Sequence, residues 1–268
     1  MTSAAAKARR FLELHVPGAP LLMPNPWDAG SARLLASLGF EALATTSSGF
    51  AATLGRLDGS VTRDEAIAHG AAVVAATELP VSADLEDCFA SSPGGVASTV
   101  GLALEAGLAG CSIEDYSGGS VLPVGVAAAR VAEAAEVAHA GEVPFVLTAR
   151  AENHLYDAGD LADTIARLRA YEEAGADVLY APGLRSLAEV RAVVSAVTRP
   201  VNVLALPGMP SVAELAGAGV ARISTGGAFA FAGLGAVVEA ARELREEGTY
   251  GYWPRAQAGS AAAKNAFR

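Results

Sequence analysis

"DLADTIARLRAYEEAGADVLYAPG", residues 160–183, contains one complete structural unit. An amphipathic stretch opens at Asp160 and closes at Gly175, and "ADVLYAPG" (176–183) follows as a short apolar run ended by Pro and Gly. The run is too short for a helix and apolar on both faces, as a parallel strand covered on both sides must be. Gly175 stands where a helix ends in the left-handed conformation before the chain turns back into a sheet.

The unit recurs in both directions. Similar runs are "PLLMPN" (20–25), "EALATTS" (41–47), "LPVSADL" (79–85), "AGCSIED" (109–115), "VPFVLTAR" (143–150), "PVNVLALPG" (200–208) and "VARISTGG" (220–227). Between them lie helical stretches such as "DAGSARLLASLG" and "TRDEAIAHGAAVVAAT", and Gly precedes the next strand in "SLGFEAL", "EAGLAGCSI" and "AGAGVARIS". Eight strand–helix units predict an α/β fold closed as a (β/α)8 TIM barrel. An open doubly wound sheet is the alternative, but it has no need of eight alternating units. No linker divides the chain, so residues 1–268 read as one barrel domain with a C-terminal helical tail. That tail, "TYGYWPRAQAGSAAAKNAFR", departs from the repeating pattern and reads as a segment that packs on a partner or frays.

The totals agree with a large core: 52% of residues are hydrophobic and only 18% are charged. A net charge of −10 with no Lys/Arg cluster argues against nucleic acid. No run of eighteen apolar residues predicts a membrane span. "MTSAAAKARRFLELHVPGAP" lacks a continuous apolar region before a cleavage site and reads as a first helix. The two cysteines, Cys88 and Cys111, are too few for a disulfide scaffold and read as reduced thiols of a cytoplasmic protein.

In such barrels the chemistry lies at the C-terminal ends of the strands. There "SADLEDCF" (82–89) sets Asp84, Glu86 and Asp87, the fourth run ends in Glu114 and Asp115, and the fifth in Arg150. Carboxylates from adjacent strands suit Mg²⁺ or Mn²⁺, with Asp84 as direct ligand and Glu86 and Glu114 as helpers. No His/Cys spacing suggests zinc. Arg150 is placed to clamp a substrate anion, and Thr46, Ser47, Ser48 and Gly49 form a turn whose hydroxyls and N–H groups face a second anionic end. A small, doubly anionic substrate is the implied ligand. The plainer readings are a polar turn or helix cap at 84–87, an ion pair at Arg150, core thiols, and surface or packing roles for all four histidines.

"NPWDAGSARLLASLGFEALATTSSGFAATLGRLDG", "SADLEDCF", "SIED" and "TARAEN", in this order, resemble the isocitrate lyase/phosphoenolpyruvate mutase superfamily over residues 20–235. The nearest look is to its 2-methylisocitrate lyase-like and carboxyvinyl-carboxyphosphonate phosphorylmutase-like subgroup. The resemblance implies a barrel whose last helix is swapped within a homo-oligomer, a dimer or tetramer, and an α-oxo acid bound to Mg²⁺. It assigns Asp84 to the metal, Glu114 to metal-bound water and Arg150 and residues 46–49 to the substrate. Asp58 in "GRLDG" becomes an active-site acid, and Asn202 a pocket residue. Two departures stand out. Cys88-Phe89-Ala90 replaces the family's Gly-Tyr-Gly, and "DYSGGSVLPV" (115–124) lacks the Lys- and Cys-bearing segment of the lyases and the loop Asn of the mutases. The expectation is therefore a lyase acting on a small α-oxo or 2-hydroxy acid by carbon–carbon cleavage or decarboxylation. Carbon–phosphorus chemistry and a non-catalytic oxoacid-binding protein are the alternatives.

Overall fold

The computed structural model describes residues 3–268. Helix α1 (Ala4–Glu13) precedes β1 (Leu21–Met23), α2 (Ala29–Ser37), β2 (Leu43–Ala44), α3 (Ser47–Thr53) and α4 (Arg63–Ala76). Next come β3 (Val81–Asp84), α5 (Gly95–Glu105), β4 (Gly110–Glu114), the short strands β5 (Tyr116–Ser117) and β6 (Ser120–Val121), and α6 (Val124–Ala138). β7 (Val146–Arg150), α7 (Leu161–Glu173), β8 (Val178–Tyr180), α8 (Leu187–Ala196), β9 (Val201–Leu204), α9 (Val212–Gly217) and β10 (Arg222–Ser224) complete the repeat. α10 (Ala228–Arg242), a π-helical turn (Glu243–Glu247) and α11 (Trp253–Ala266) end the chain.

Eight strands form one sheet in the order β1-β10-β9-β8-β7-β4-β3-β2, every pair parallel. The seam between β1 and β2 is bridged by the Ala44 N–H donating to the Pro24 carbonyl at 3.2 Å, and by the Asn25 amide donating to the Thr45 carbonyl at 2.9 Å. This is the (β/α)8 barrel that the repeating unit predicts. The local grammar is the expected one: Thr62 with Glu65, Ser186 with Glu189 and Ser211 with Glu214 form capping boxes at α4, α8 and α9. Gly175, at φ +105°, closes α7 in a conformation that costs a residue with a side chain about 1–2 kcal/mol.

Two apolar layers fix the barrel. One lies between the sheet and its helices and includes Val73, Val100, Leu147, Leu168 and Val190. The other plugs the N-terminal end, where Phe11 of α1 is fully buried against Leu21, Met23, Val146 and Val178. With the bottom sealed, the strand ends at the opposite rim are the face left for chemistry.

Three segments take definite form. Within residues 115–124, β5 and β6 pair as a hairpin whose turn residues, Gly118 and Gly119, both have positive φ, as a two-residue turn of this hand requires. The tail forms α11, which is helical and packs against α2 of the same chain. The stretch 46–49 is the start of a helix: Thr46 is the N-cap of α3, so Ser47, Ser48 and Gly49 occupy its first turn. No helix among the described residues is long and apolar enough to cross a membrane.

Candidate active site

Parallel register brings the site's residues into one row. Glu114 of β4 lies beside Arg150 of β7, Arg150 beside Tyr180 of β8, Tyr180 beside Asn202 of β9, and Asn202 beside Arg222 of β10. Asp84 ends β3, one strand beyond Glu114. Asp84, Arg150, Tyr180, Asn202 and Arg222 line a cavity of about 170 Å³ inside the mouth together with Thr45, Thr46, Ser47 and Ser48, and Asp58 reaches its rim from an exposed loop. A wider chamber of about 790 Å³ adjoins it, lined by Glu86, Glu114, Glu152 and the hairpin residues Tyr116 to Gly119. Ser47, Asp58 and Arg150 face both.

Arg150 organises the acids. Its Nη1 donates to Asp84 Oδ1 at 2.8 Å, its Nε to Glu152 Oε1 at 2.8 Å, and its Nη2 lies 3.2 Å from Glu114 Oε2. The guanidinium also sits 5.1 Å above the Tyr180 ring. Burial works against its charge, but Glu152, Glu114 and Asp84 outweigh that and hold its pKa well above the usual value. Asp84 has further partners: the Ser47 hydroxyl (3.0 Å) and N–H (3.2 Å) donate to Oδ2, and the Ser112 hydroxyl to Oδ1 (3.3 Å).

One cation faces several carboxylates, and the electrostatics show the imbalance. Glu114 is raised well above the ordinary carboxyl range by burial and then by Glu152, Asp84 and Glu86, against the opposing pull of Arg150. Glu86 is pushed up to about 7 by burial and by Asp84, Asp58 and Asp87.

The expected ligand trio does not assemble as a trio. Among the described residues no three His, Cys, Asp or Glu side chains gather in a way that could hold a metal. Asp84 and Glu114 converge on Arg150, whereas Glu86 follows a left-handed backbone step (φ +51°) and lines the wider chamber. The remaining pair still fits Mg²⁺ or Mn²⁺, since Mg²⁺ takes one or two carboxylates and keeps its waters. The surplus of carboxylates over a single guanidinium is the donor chemistry such an ion needs.

The substrate-loop expectation is also redistributed. The Ser47 N–H is committed to Asp84 and the Gly49 N–H to the Thr46 hydroxyl at 3.3 Å. Ser48 and Thr46 keep their hydroxyls on the cavity wall. Gly49 lies behind that wall, where a Cβ would stand 2.6 Å from Thr46 Cγ2 and 3.3 Å from Trp27 Cβ, so its small size serves packing. Asn202 is fully buried and lines the cavity.

At the missing Gly-Tyr-Gly the chain keeps the bend without the glycines: Cys88 and Phe89 have φ of 56° and 47°. Three left-handed residues within 86–89 cost on the order of 1 kcal/mol each and persist only where packing over-determines them. Cys88 and Leu85 supply that packing, both fully buried. Asp87 anchors the hairpin, accepting from the Ser117 hydroxyl at 2.6 Å and from Arg130 at 3.2 Å.

Three residues to which the sequence assigned no role carry weight here. Asp115 is buried and accepts from the Glu152 N–H (2.7 Å), Arg167 (2.9 Å) and the Tyr171 hydroxyl (2.5 Å), which fixes the backbone beyond Arg150. Glu152 neutralises the Nε side of Arg150. Arg222 reaches the cavity floor from a strand to which no site residue had been assigned; a charged residue inside the apolar run "VARIS" was the available signal.

A barrel whose strand ends gather acids around one arginine beside a small polar cavity is that of a (β/α)8-barrel enzyme. The chain belongs to the phosphoenolpyruvate phosphomutase family, whose model matches residues 11–245, within the isocitrate lyase/phosphoenolpyruvate mutase superfamily of lyases and mutases. A lyase/mutase-like protein of Burkholderia cenocepacia has the same fold at a TM-score of 0.89 and 50% identity, covering 93% of this chain and 91% of that one. The 2-methylisocitrate lyase of Escherichia coli is 30% identical over 71% of this chain and 70% of its own length. An oxaloacetate decarboxylase of Bradyrhizobium diazoefficiens is 31% identical over 70% of this chain and 66% of its own.

Proposed function

We propose that the protein is a Mg²⁺- or Mn²⁺-dependent lyase that decarboxylates or cleaves a small α-oxo or 2-hydroxy dicarboxylate. The observation that carries this reading is the convergence of Asp84 and Glu114 on Arg150 at the edge of a small hydroxyl-lined cavity. Asp84 and Glu114 are the residues that would hold the ion, which when bound supplies Lewis-acid polarisation of an α-oxo oxygen. Arg150, displaced in part from those acids, keeps two further N–H groups for a substrate carboxylate. Ser48 and Thr46 orient that carboxylate from the opposite wall.

The hairpin supports decarboxylation over the chemistry of the loop-thiol lyases. Tyr116, Ser117, Gly118 and Gly119 bring no thiol, amine or imidazole to the chamber. Loss of CO₂ breaks the bond to the departing carboxylate and leaves its electron pair as an enolate, and no covalent nucleophile is needed. The enolate carbon then takes a proton from the wider chamber, where Glu86, pushed up to about 7, holds and releases a proton near neutrality. Oxaloacetate is the simplest substrate of this class.

The protein works, in this reading, as a homo-oligomer in the cytoplasm, with a second copy covering α10, and engages neither nucleic acid nor membrane. Phe229, Phe231, Leu234 and Val237 of α10 are exposed in the single chain. Carbon–phosphorus chemistry is the second reading, favoured by the family model's own reaction. Incubating the purified protein with Mg²⁺ and oxaloacetate, 2-oxoglutarate or malate tests the first. Pyruvate and CO₂ from oxaloacetate, lost on adding a chelator and in Asp84→Ala, are expected. Release of neither CO₂ nor a carbonyl product from any of these acids would refute it. Phosphorus NMR of a phosphonopyruvate incubation tests the second.

A further inference from the structure

Arg222 lies at the floor of the small cavity and is 3% exposed, yet no carboxylate pairs with it among the described residues. Its partners are neutral. Nη2 donates to the Thr148 hydroxyl at 3.1 Å and Nη1 to His15 Nε2 at 3.1 Å. The tautomer follows from the other ring nitrogen, since His15 Nδ1 donates to the Phe11 carbonyl at 2.8 Å and leaves Nε2 as acceptor. His15 offers no compensating charge either: burial and then the neighbouring Arg222 lower its pKa to about 3. The Nε–H of Arg222 and Oδ1 of the adjoining Asn202 have no hydrogen-bond partner among the described residues.

A buried, unpaired cation is costly to a fold, and chains retain one where something outside the fold compensates it. Burial pulls the Arg222 pKa down to about 9, still high enough to keep the guanidinium charged at neutral pH. The other guanidinium of the cavity, Arg150, is already surrounded by three acids. So the negative end of the cavity lies at Asp84, and its positive end lies at Arg222 on the floor. The free volume of about 170 Å³ leaves room for a small acid between Asp84 and Arg222.

We propose that Arg222, with the amide of Asn202 and the hydroxyl of Ser224 beside it, is an anion subsite that receives the distal carboxylate of a dicarboxylate, and so selects dianionic over monoanionic ligands. Asn202 already donates to Ser224 at 3.0 Å, which presets the pair. This subsite rests on the reading of the cavity as a substrate pocket, but it acts through charge alone and is testable without metal.

The test is calorimetric titration of the full-length protein, stripped of metal, with succinate and with acetate, in wild type, Arg222→Met and Arg222→Lys. The titration is repeated with oxaloacetate and Mg²⁺. Succinate is expected to bind wild type at least about tenfold more tightly than acetate, to lose that advantage in Arg222→Met and to regain part of it in Arg222→Lys. Thermal melting guards against a merely structural role: Arg222→Met removes an uncompensated buried charge and is expected to melt no lower than wild type without ligand. Equal affinity for succinate in wild type and Arg222→Met overturns the proposal, as does a fall in melting temperature in Arg222→Met with succinate binding lost equally in Arg222→Lys. Failure of wild type to bind any dicarboxylate, with or without Mg²⁺, overturns it too. Arg222-dependent succinate binding with no oxaloacetate turnover keeps the subsite and removes the proposed reaction. Turnover untouched by Arg222→Met does the reverse.

Discussion

The Arg150 guanidinium on β7 donates to Asp84 Oδ1 on β3 at 2.8 Å, so the two strands flanking β4 are tied together over its end. The same guanidinium meets Glu114 of β4 itself, making one side chain the cation for three strand ends. Removing it leaves Asp84, Glu114 and Glu152 facing one another with no positive partner. Arg150→Gln is therefore expected to cost about 3–5 kcal/mol, the usual result of orphaning buried charge. If Asp84 and Glu114 hold the metal, Mg²⁺ restores part of that loss, and its stabilisation of Arg150→Gln exceeds that of wild type. Melting curves with and without Mg²⁺ decide, and equal shifts in the two proteins would remove the acids from the metal's account.

β4 owes its position to a residue with no side chain. A Cβ at Gly110 would stand 2.4 Å from the Val146 carbonyl oxygen and 3.2 Å from the Phe11 ring. The first obstacle is backbone of the neighbouring strand, which cannot rotate away. Gly110→Ala is expected to destabilise by more than about 2 kcal/mol and to displace Glu114, four residues along the same strand. Urea denaturation reads the first effect. A midpoint within error of wild type would mean that the contact of Gly110 with β7 does not set the position of β4.

These two sites show what the sequence discloses and what it withholds. The barrel was legible because each strand is a short apolar run and each helix has its own start and stop signals, as Asp160 and Gly175 do around α7. Asp84, Glu114 and Arg150 were legible because position at a strand end is a local property. Which acids share the arginine is not local. It depends on register between strands, and on a left-handed step at Glu86 made without glycine. Arg222 was missed for the same reason: only the closed barrel places a residue of the last strand across from Thr148 on β7.

Acid sensitivity is expected from a residue behind the site. His69 of α4 is buried, its Nε2–H donates to the Trp27 carbonyl at 3.1 Å, and its ring stacks on Phe50 at 4.0 Å. Burial lowers its pKa from 6.5 to about 4. Between those values the unfolded chain binds a proton that the folded one refuses, so stability falls as pH drops. The contribution is complete above the unfolded value and amounts to on the order of 2–3 kcal/mol across the window. His69→Gln keeps a donor for Trp27 without the titration. Its urea midpoint is expected to change less than that of wild type between pH 7 and pH 4.5, with His15 accounting for the remaining fall. Parallel loss in both proteins would place the acid sensitivity elsewhere.

α10 makes the last case. Of its fifteen residues only Ala230 is buried, while Phe231 and Val237 are 50% and 65% exposed. Side chains of this size, spaced along one helix, form an apolar surface larger than isolated exposed residues do, and such surfaces mark interfaces. Continuity favours a second copy as the cover: α10 follows directly from the cavity residues Gly226 and Gly227, so a partner seated on it also borders the mouth. Phe231→Asp combined with Val237→Asp is expected to convert the wild-type oligomer to monomer in sedimentation analysis and to lower activity with it. In a protein that is monomeric throughout, two exposed substitutions would each change stability by less than about 0.5 kcal/mol. A wild-type monomer at micromolar concentration would end the argument for α10 as a subunit interface.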